Sequence, residues 1–213
     1  MATIGVIDYG MGNLHSIAKA LERVSAGERV EISYDPDKLR RADRLVLPGV
    51  GAIRHCMDEL RRLELVGLIK EAAGQVPMLG ICLGMQAMLA HSEENDGTEA
   101  LGLFPGEVRR FPDPVAGEVG RLKVPHMGWN QVRPVRSHPL WRGIAPQASF
   151  YFVHSYYVQP AEPAHCFGTT EYGQRFCSVL LRDNLLAVQF HPEKSQSAGL
   201  TLLANFLQWD GKA

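Results

Sequence analysis

Residues Pro77-Met78-Leu79-Gly80-Ile81-Cys82-Leu83-Gly84-Met85-Gln86 decide how the rest of the chain is read. The stretch opens as a short apolar run, the pattern of a buried strand. Gly80, Cys82 and Gly84 then alternate, and Leu83, Ala87 and Met88 follow at helical spacing. A cysteine between two glycines, where a strand turns into a helix, has the form of a nucleophile elbow with sulfur in place of the hydroxyl. Such a turn is sharp and crowded, which favours residues without a Cβ. It lifts the side chain clear of the sheet and aims the N-terminus of the next helix at the sulfur, in favour of thiolate. It also leaves the amide of Leu83 free to bind an oxyanion. A small free cysteine packed by glycines in a core has the same local sequence, so this stretch alone does not decide.

A second stretch, Gln189-Phe190-His191-Pro192-Glu193, follows the apolar run Leu185-Leu186-Ala187-Val188. His191 and Glu193 are two residues apart, which puts both side chains on one face of an extended segment. Pro192 restrains the backbone between them. Alone this is a His-Pro-Glu surface turn. Set beside Cys82, it supplies the base and the orienting carboxylate of a nucleophile–base–orienter triad. Each stretch stands at the C-terminal end of an apolar run, and together they favour a thiol nucleophile.

The chain has 213 residues, 46% of them hydrophobic, which suits one α/β domain over 1–213 with a full core. The net charge of −1 gives no global attraction to nucleic acid or a membrane. Met1-Ala2-Thr3-Ile4-Gly5 lacks a basic leader, and no apolar run approaches the ~20 residues that span a bilayer. A cytoplasmic protein is expected. Cys56, Cys82, Cys166 and Cys177 show no CxxC spacing and read as free thiols, with all but Cys82 as packing residues. The histidines show no HxxxH pairing, so no metal is expected. All but His191 read as structural or surface, with His126 a candidate for a partner face. GxGxxG and GxxxxGK[ST] are absent, which argues against a nucleotide cofactor.

Along the chain, strands are expected at Thr3–Asp8, Val30–Ser33 and Arg44–Leu47, with the fourth carrying Cys82. Helices lie between them. One is capped by Asn13 and buries Leu14, Ile17, Ala18 and Leu21; another carries Ile53, Met57 and Leu60. This alternation predicts an α/β fold: a doubly wound, mostly parallel sheet with helices on both faces. Sites in such sheets form at the C-terminal strand ends, where Gly10-Met11-Gly12 and Pro48-Gly49-Val50-Gly51 also fall. From Gly106 to Phe176 short β-like runs and prolines predict an appended antiparallel β segment, including one run from Phe150 to Val158. Two apolar strands (178–181 and 185–189) and a last helix from Ala198 to Trp209, burying Leu200, Leu203, Ala204 and Leu207, complete the chain. Between Val119 and Ala161 there is no Asp or Glu, against Arg121, Lys123, Arg133, Arg136 and Arg142. That is either a solvated surface or a docking face for an acidic partner patch.

Pro77–Gln86 followed by Gln-Phe-His-Pro-Glu-Lys resembles the class I (triad) glutamine amidotransferases. His126-Met127-Gly128-Trp129-Asn130, with Asp8–Leu14 and Phe152–Tyr157, is similar to the glutaminase subunits of imidazole glycerol phosphate synthases, over essentially the whole chain. The resemblance implies that Cys82, His191 and Glu193 are the triad. It implies an oxyanion site from the amides of Leu83 and Val50, and glutamine binding near Gly49, Gly51 and Gln86. It places Asn13, Trp129, Tyr156 and Lys194 towards a (βα)8-barrel cyclase that uses the ammonia. It also implies weak activity of the chain alone, with a Gly49-Val50-Gly51 loop able to reorient an N–H into the oxyanion site. Ile53 stands where many relatives carry an aromatic residue. Glutaminase subunits for pyridoxal phosphate or GMP synthesis are neighbouring alternatives, which the 126–130 motif disfavours. A non-catalytic module and a thiol peptidase are others; the intact triad and Gln86 argue against them.

Overall fold

The computed structural model describes residues 1–113, 115–117 and 120–212. Val119 and the side chain of Arg121, both part of the basic stretch, lie outside the described residues. The first half alternates as expected. Strands β1 (Thr3–Ile7), β2 (Arg29–Ser33), β3 (Arg44–Leu47) and β4 (Met78–Ile81) are separated by helices α1 (Leu14–Val24), α2 (Pro36–Arg40), α3 (Ile53–Arg62) and α4 (Leu65–Ala72). A short helix α5 (Leu83–Ala87) follows β4 directly. Helix α2 has no counterpart in the sequence reading. Its signal was the Asp35-Pro36 pair: the Asp35 carboxylate caps the amides of Asp37 and Lys38, and proline opens the first turn.

The second half supplies β5 (Leu89–Ser92), β6 (Thr98–Glu99), β7 (Phe104–Arg110), β8 (Val115–Gly117), β9 (Gly120–Leu122), β10 (His126–Gln131) and β11 (Arg133–Pro134). After these come β12 (Ser149–His154), β13 (Tyr156–Pro160), β14 (Cys166–Glu171), β15 (Arg175–Arg182), β16 (Leu185–Val188) and α6 (Gln196–Gln208). The main sheet runs β2-β1-β3-β4-β16-β15-β13-β7-β5-β6. Its first five strands are mutually parallel, and β15 then turns antiparallel. The strand order reverses beside β1, so the crevice expected of a doubly wound sheet opens at the C-terminal ends of β1 and β3.

Strand residues alternate between two cores, one on each face of the sheet. Ile4, Val6, Val46 and Leu79 pack with Ile17 and Leu21 of α1 and Leu203 and Phe206 of α6. Ile7, Leu45, Leu47 and Met78 pack with Leu60 of α3 and Leu68 of α4. Each fully buried side chain of this size contributes about 1.5–3 kcal/mol relative to exposure. Continuous apolar runs in β3, β4 and β16 therefore follow from burial on both faces.

Three expectations need correction. Asn13 occupies the N-cap position of α1, but its side chain makes no capping bond; only its carbonyl accepts, from Ser16 and Ile17 at 3.1 Å each. The run from Phe150 to Val158 is two strands in two sheets, because the chain bends at Ser155: β12 pairs with β10 in a separate ribbon, while β13 joins the main sheet. On α6 the buried face is Gly199, Leu202, Leu203, Phe206 and Leu207, with Leu200 and Ala204 only half-buried. Phe206 and Leu202 win that face because they meet the aromatic cluster of Phe150, Phe152 and Phe190 in the same core.

Candidate active site

Cys82 stands at the C-terminal end of β4 with φ 52° and ψ −107°, a conformation that is strained for any residue with a Cβ. The surroundings hold it there. Its amide donates to the Val188 carbonyl at 2.8 Å and its carbonyl accepts from the Gln86 amide at 3.2 Å. The two glycines are demanded by packing: a Cβ on Gly84 would sit 1.9 Å from the Leu47 carbonyl oxygen, and one on Gly80 2.9 Å from the Met88 sulfur. The elbow is thus present as expected. The helix behind it is only five residues long, so little of a macrodipole reaches the sulfur.

The charge that faces Cys82 comes from His191. β16 is the parallel neighbour of β4, and His191 follows it, its amide held by the Tyr151 carbonyl at 2.9 Å. Pro192–Lys194 form a 3-10 turn that brings Glu193 Oε1 within 2.9 Å of His191 Nδ1, both side chains almost fully buried. The carboxylate accepts, so Nδ1–H donates and Nε2 is left for the sulfur. Among the described residues that Nε2 has no nitrogen or oxygen partner. Burial by itself would lower the pKa of His191; hydrogen bonding and charge at Cys82 and Glu193 outweigh it and raise the imidazole to about 10. Ser195, to which the sequence reading gave no role, braces the turn: its hydroxyl donates to the His191 carbonyl at 2.6 Å and accepts from the Tyr151 amide at 3.0 Å.

Cys82 and His191 open on a cavity of about 320 Å³ whose walls include Val50, Gly51, Gln86, Glu94, His154 and Tyr156. Gln86 is buried, and its amide is already engaged, donating to the Tyr156 carbonyl at 3.2 Å and to Gln189 Oε1 at 3.1 Å. Gln189 in turn donates to Cys82 Sγ at 3.6 Å. Gln189 lay in the quoted stretch but received no role, since nothing in sequence says its side chain meets the elbow. Glu94 was missed too; its carboxylate also accepts from the Ile53 amide at 3.1 Å.

The oxyanion donors are arranged differently from expectation. The Leu83 amide is not free: it donates to the Gly49 carbonyl at 3.4 Å. The Gly49–Val50 peptide therefore turns its oxygen, and not its N–H, to the elbow. Tyr9, fully buried, donates from its hydroxyl to the Pro48 carbonyl at 2.7 Å and fixes the base of this loop. Gly49 passes so close that a Cβ would lie 2.3 Å from the Tyr9 hydroxyl, while Gly51 has φ +100°.

Of the four residues expected at a partner face, Trp129 and Lys194 come together on Tyr151. Trp129 is half-exposed and meets that ring edge-on at 6.1 Å, and Lys194 Nζ lies 5.8 Å from its centroid. Asn13 is exposed on the turn after β1, the turn whose Gly12 packs against Pro48 and Gly49. Tyr156 lines the cavity instead of joining the Trp129 patch. Arg136 donates to the Ala164 carbonyl and stacks on Phe167, and it shares a separate cavity with Arg142 and Trp141.

The fold and this cluster together have the form of a triad amidotransferase. A profile of the glutamine amidotransferase class-I family matches residues 5–209, and the chain belongs to that family. Within it, the chain is 56% identical over 212 residues to imidazole glycerol phosphate synthase subunit HisH 1 of Pseudomonas aeruginosa, covering 100% of this chain and 99% of that one. It is 55% identical to subunit HisH of Methylococcus capsulatus, covering 99% and 98%. These relatives place it in the HisH branch. Among solved structures, PurLQS from Thermotoga maritima superposes with a TM-score of 0.73 at 16% identity, over 97% of this chain and 98% of that one. A glutamine amidotransferase crystal structure gives 0.70 at 17%, over 96% and 97%. Both are similarities of fold.

Proposed function

We propose that the chain works as the glutamine-hydrolysing subunit of an imidazole glycerol phosphate synthase, in histidine biosynthesis. The observation that carries this reading is the meeting of Cys82 and His191 at one cavity, with Glu193 bonded behind His191, from two distant stretches of sequence that only the sheet brings together. Cys82 Sγ attacks the side-chain carboxamide carbon of glutamine. The carbonyl π electrons move to oxygen, and amides of Leu83 and Val50 receive that oxyanion once the Gly49–Val50 peptide has turned over. His191, protonated by its pairing with Cys82, gives its proton to the departing nitrogen, and ammonia leaves. Water, deprotonated by the now neutral His191, attacks the γ-glutamyl thioester; the sulfur leaves as thiolate, glutamate is released, and the thiolate–imidazolium pair is restored. Glu193 holds the imidazole in the tautomer this requires.

Gly49, Gly51 and Gln86 border the bound glutamine in this reading, and the Glu94 carboxylate complements its α-ammonium. The partner is a (βα)8-barrel cyclase that docks over Asn13, Trp129 and Lys194, with Tyr156 at the cavity rim, and receives the ammonia before it is protonated in bulk water. No cofactor is called for. We place the pair in the cytoplasm; among the described residues no helix is long and apolar enough to cross a membrane. The main sheet draws strands from Thr3 to Val188, which supports reading 1–213 as one domain.

The test is glutamate release by the chain with and without a barrel cyclase carrying its ribonucleotide ligand, beside Cys82→Ser. Strong stimulation that disappears in Cys82→Ser is the expected result. Turnover that survives Cys82→Ser would defeat the triad, and turnover indifferent to the cyclase would defeat the partner.

A further inference from the structure

Strand β10 has two unlike faces. Met127 and Trp129 stand outward, 62% and 50% exposed. His126 and Asn130 turn inward and begin a run of hydrogen bonds that ends on the nucleophile. Asn130 Nδ2 lies 3.2 Å from His126 Nε2 and also donates to the Glu171 carbonyl at 2.9 Å. His126 Nδ1 lies 3.0 Å from His154 Nε2. His154 Nδ1 lies 2.7 Å from the Tyr156 carbonyl oxygen, which accepts from Gln86 on its other side. Gln86 continues to Gln189, and Gln189 to Cys82 Sγ.

The ends of this run fix every proton within it. The Tyr156 carbonyl can only accept, so His154 Nδ1 donates. Burial drives the His154 imidazole down to about 3 and that of His126 to about 4, so both rings are neutral at ordinary pH. A neutral ring has one donor and one acceptor. His154 Nε2 therefore accepts from His126 Nδ1–H, and His126 Nε2 accepts from the Asn130 amide. Space alone would not require this. His126 stacks on Tyr172 and Phe152 at 4.0 and 4.8 Å, a site that a phenylalanine ring would fill.

We propose that Asn130, His126 and His154 are positioning residues for the nucleophile: their one-directional hydrogen bonds hold the Tyr156 carbonyl, through it Gln86 and Gln189, and so the sulfur of Cys82. The proposal rests on the reading of Cys82 as the glutaminase nucleophile.

The variants are Asn130→Ala, His126→Phe, His126→Asn, His154→Phe and Gln189→Leu, with the double variant Asn130→Ala/Gln189→Leu. Two quantities are read on each: kcat and KM for glutamine in the complex at saturating cyclase, and the iodoacetamide alkylation rate of the Cys82 peptide in the chain alone, followed by mass spectrometry. Each single break is expected to lower kcat about tenfold, the effect of one buried hydrogen bond, with a smaller change in KM and an altered alkylation rate. His126→Asn keeps a donor near the Nδ1 position and recovers part of what His126→Phe loses. The double variant loses no more than its worse parent, whereas independent sites would multiply their losses. Wild-type kcat and alkylation in His126→Phe and Asn130→Ala, or multiplicative losses in the double variant, overturn the proposal. If His154→Phe does not fold, Asn130→Ala at the outer end carries the test. Wild-type turnover that needs Cys82 alongside indifferent variants removes only this proposal; wild-type turnover that does not need Cys82 removes the glutaminase reading beneath it.

Discussion

The Leu83 amide donates to the Gly49 carbonyl across 3.4 Å, so the amide that follows Cys82 is occupied by the loop that completes the oxyanion site in the proposed mechanism. The bond is long, and the loop is pinned one peptide earlier by Tyr9. Only the Gly49–Val50 peptide needs to rotate to exchange an acceptor for a donor. A missing oxyanion donor costs about 10²–10³ in kcat. We expect the isolated chain to hydrolyse glutamine slower by about that factor than the complex with its ligand bound. Steady-state glutamate release measures it, and equal rates would show that the resting loop is already productive.

Glu193 supports His191 through charge and direction together. Glu193→Gln keeps an acceptor for Nδ1–H while removing the charge. The fold should be kept, since the side chain stays in the same 3-10 turn. We expect kcat to fall between about 10²- and 10⁴-fold, the range for a lost orienting carboxylate and impaired proton transfer. Thermal unfolding beside kinetics separates this from misfolding, and a loss under threefold would assign Glu193 a purely structural part.

His191 should be an imidazolium at neutral pH and stay so until about pH 10. The shift is upward, so the protonated form is the one the fold favours. Its stabilising contribution is complete below the ordinary histidine value near 6.5 and fades as pH rises through about 10. Removing the sulfur in Cys82→Ala leaves the burial penalty opposed by Glu193 alone, and the pKa should drop. Imidazole NMR titration of both proteins is the measurement, and a wild-type midpoint near 6.5 would contradict the pairing.

Two glycines make a controlled comparison. Gly84→Ala drives a Cβ to 1.9 Å from the Leu47 carbonyl oxygen. Backbone cannot yield as a side-chain tip does, so a loss of about 3 kcal/mol or outright failure to fold is expected. Gly67 is exposed within α4, with nothing within 4 Å of an added Cβ. Gly67→Ala should stabilise by about 1 kcal/mol through helix propensity, raising Tm by about 2–4 °C. Calorimetry distinguishes the two, and a tolerated Gly84→Ala would mean that the elbow is looser than its geometry.

Much of this was legible because strands buried on both faces write themselves as unbroken apolar runs, and turns beside them need glycine. β1, β3, β4 and β16 were found that way, and so were Cys82, His191 and the 48–51 loop. What the sequence hid was side-chain company. Asn13 looked like a cap, yet only its carbonyl accepts from the helix and its side chain makes no capping bond. Phe150 to Val158 looked like one strand because a bend at Ser155 changes the sheet without changing the hydropathy. His126 and His154 showed no metal-like spacing, but they are cross-strand partners.

The sequence by itself determined the doubly wound half of the sheet, the elbow and its His–Glu counterpart, because each depends on local pattern: periodicity, glycine and a two-residue spacing. Tertiary structure decided which donors are free. That Leu83 is occupied by Gly49, that Tyr9 pins Pro48, and that Gln189 meets the sulfur all follow from contacts between segments far apart in the chain. Such contacts are fixed by strand order and register, which no local run of residues encodes.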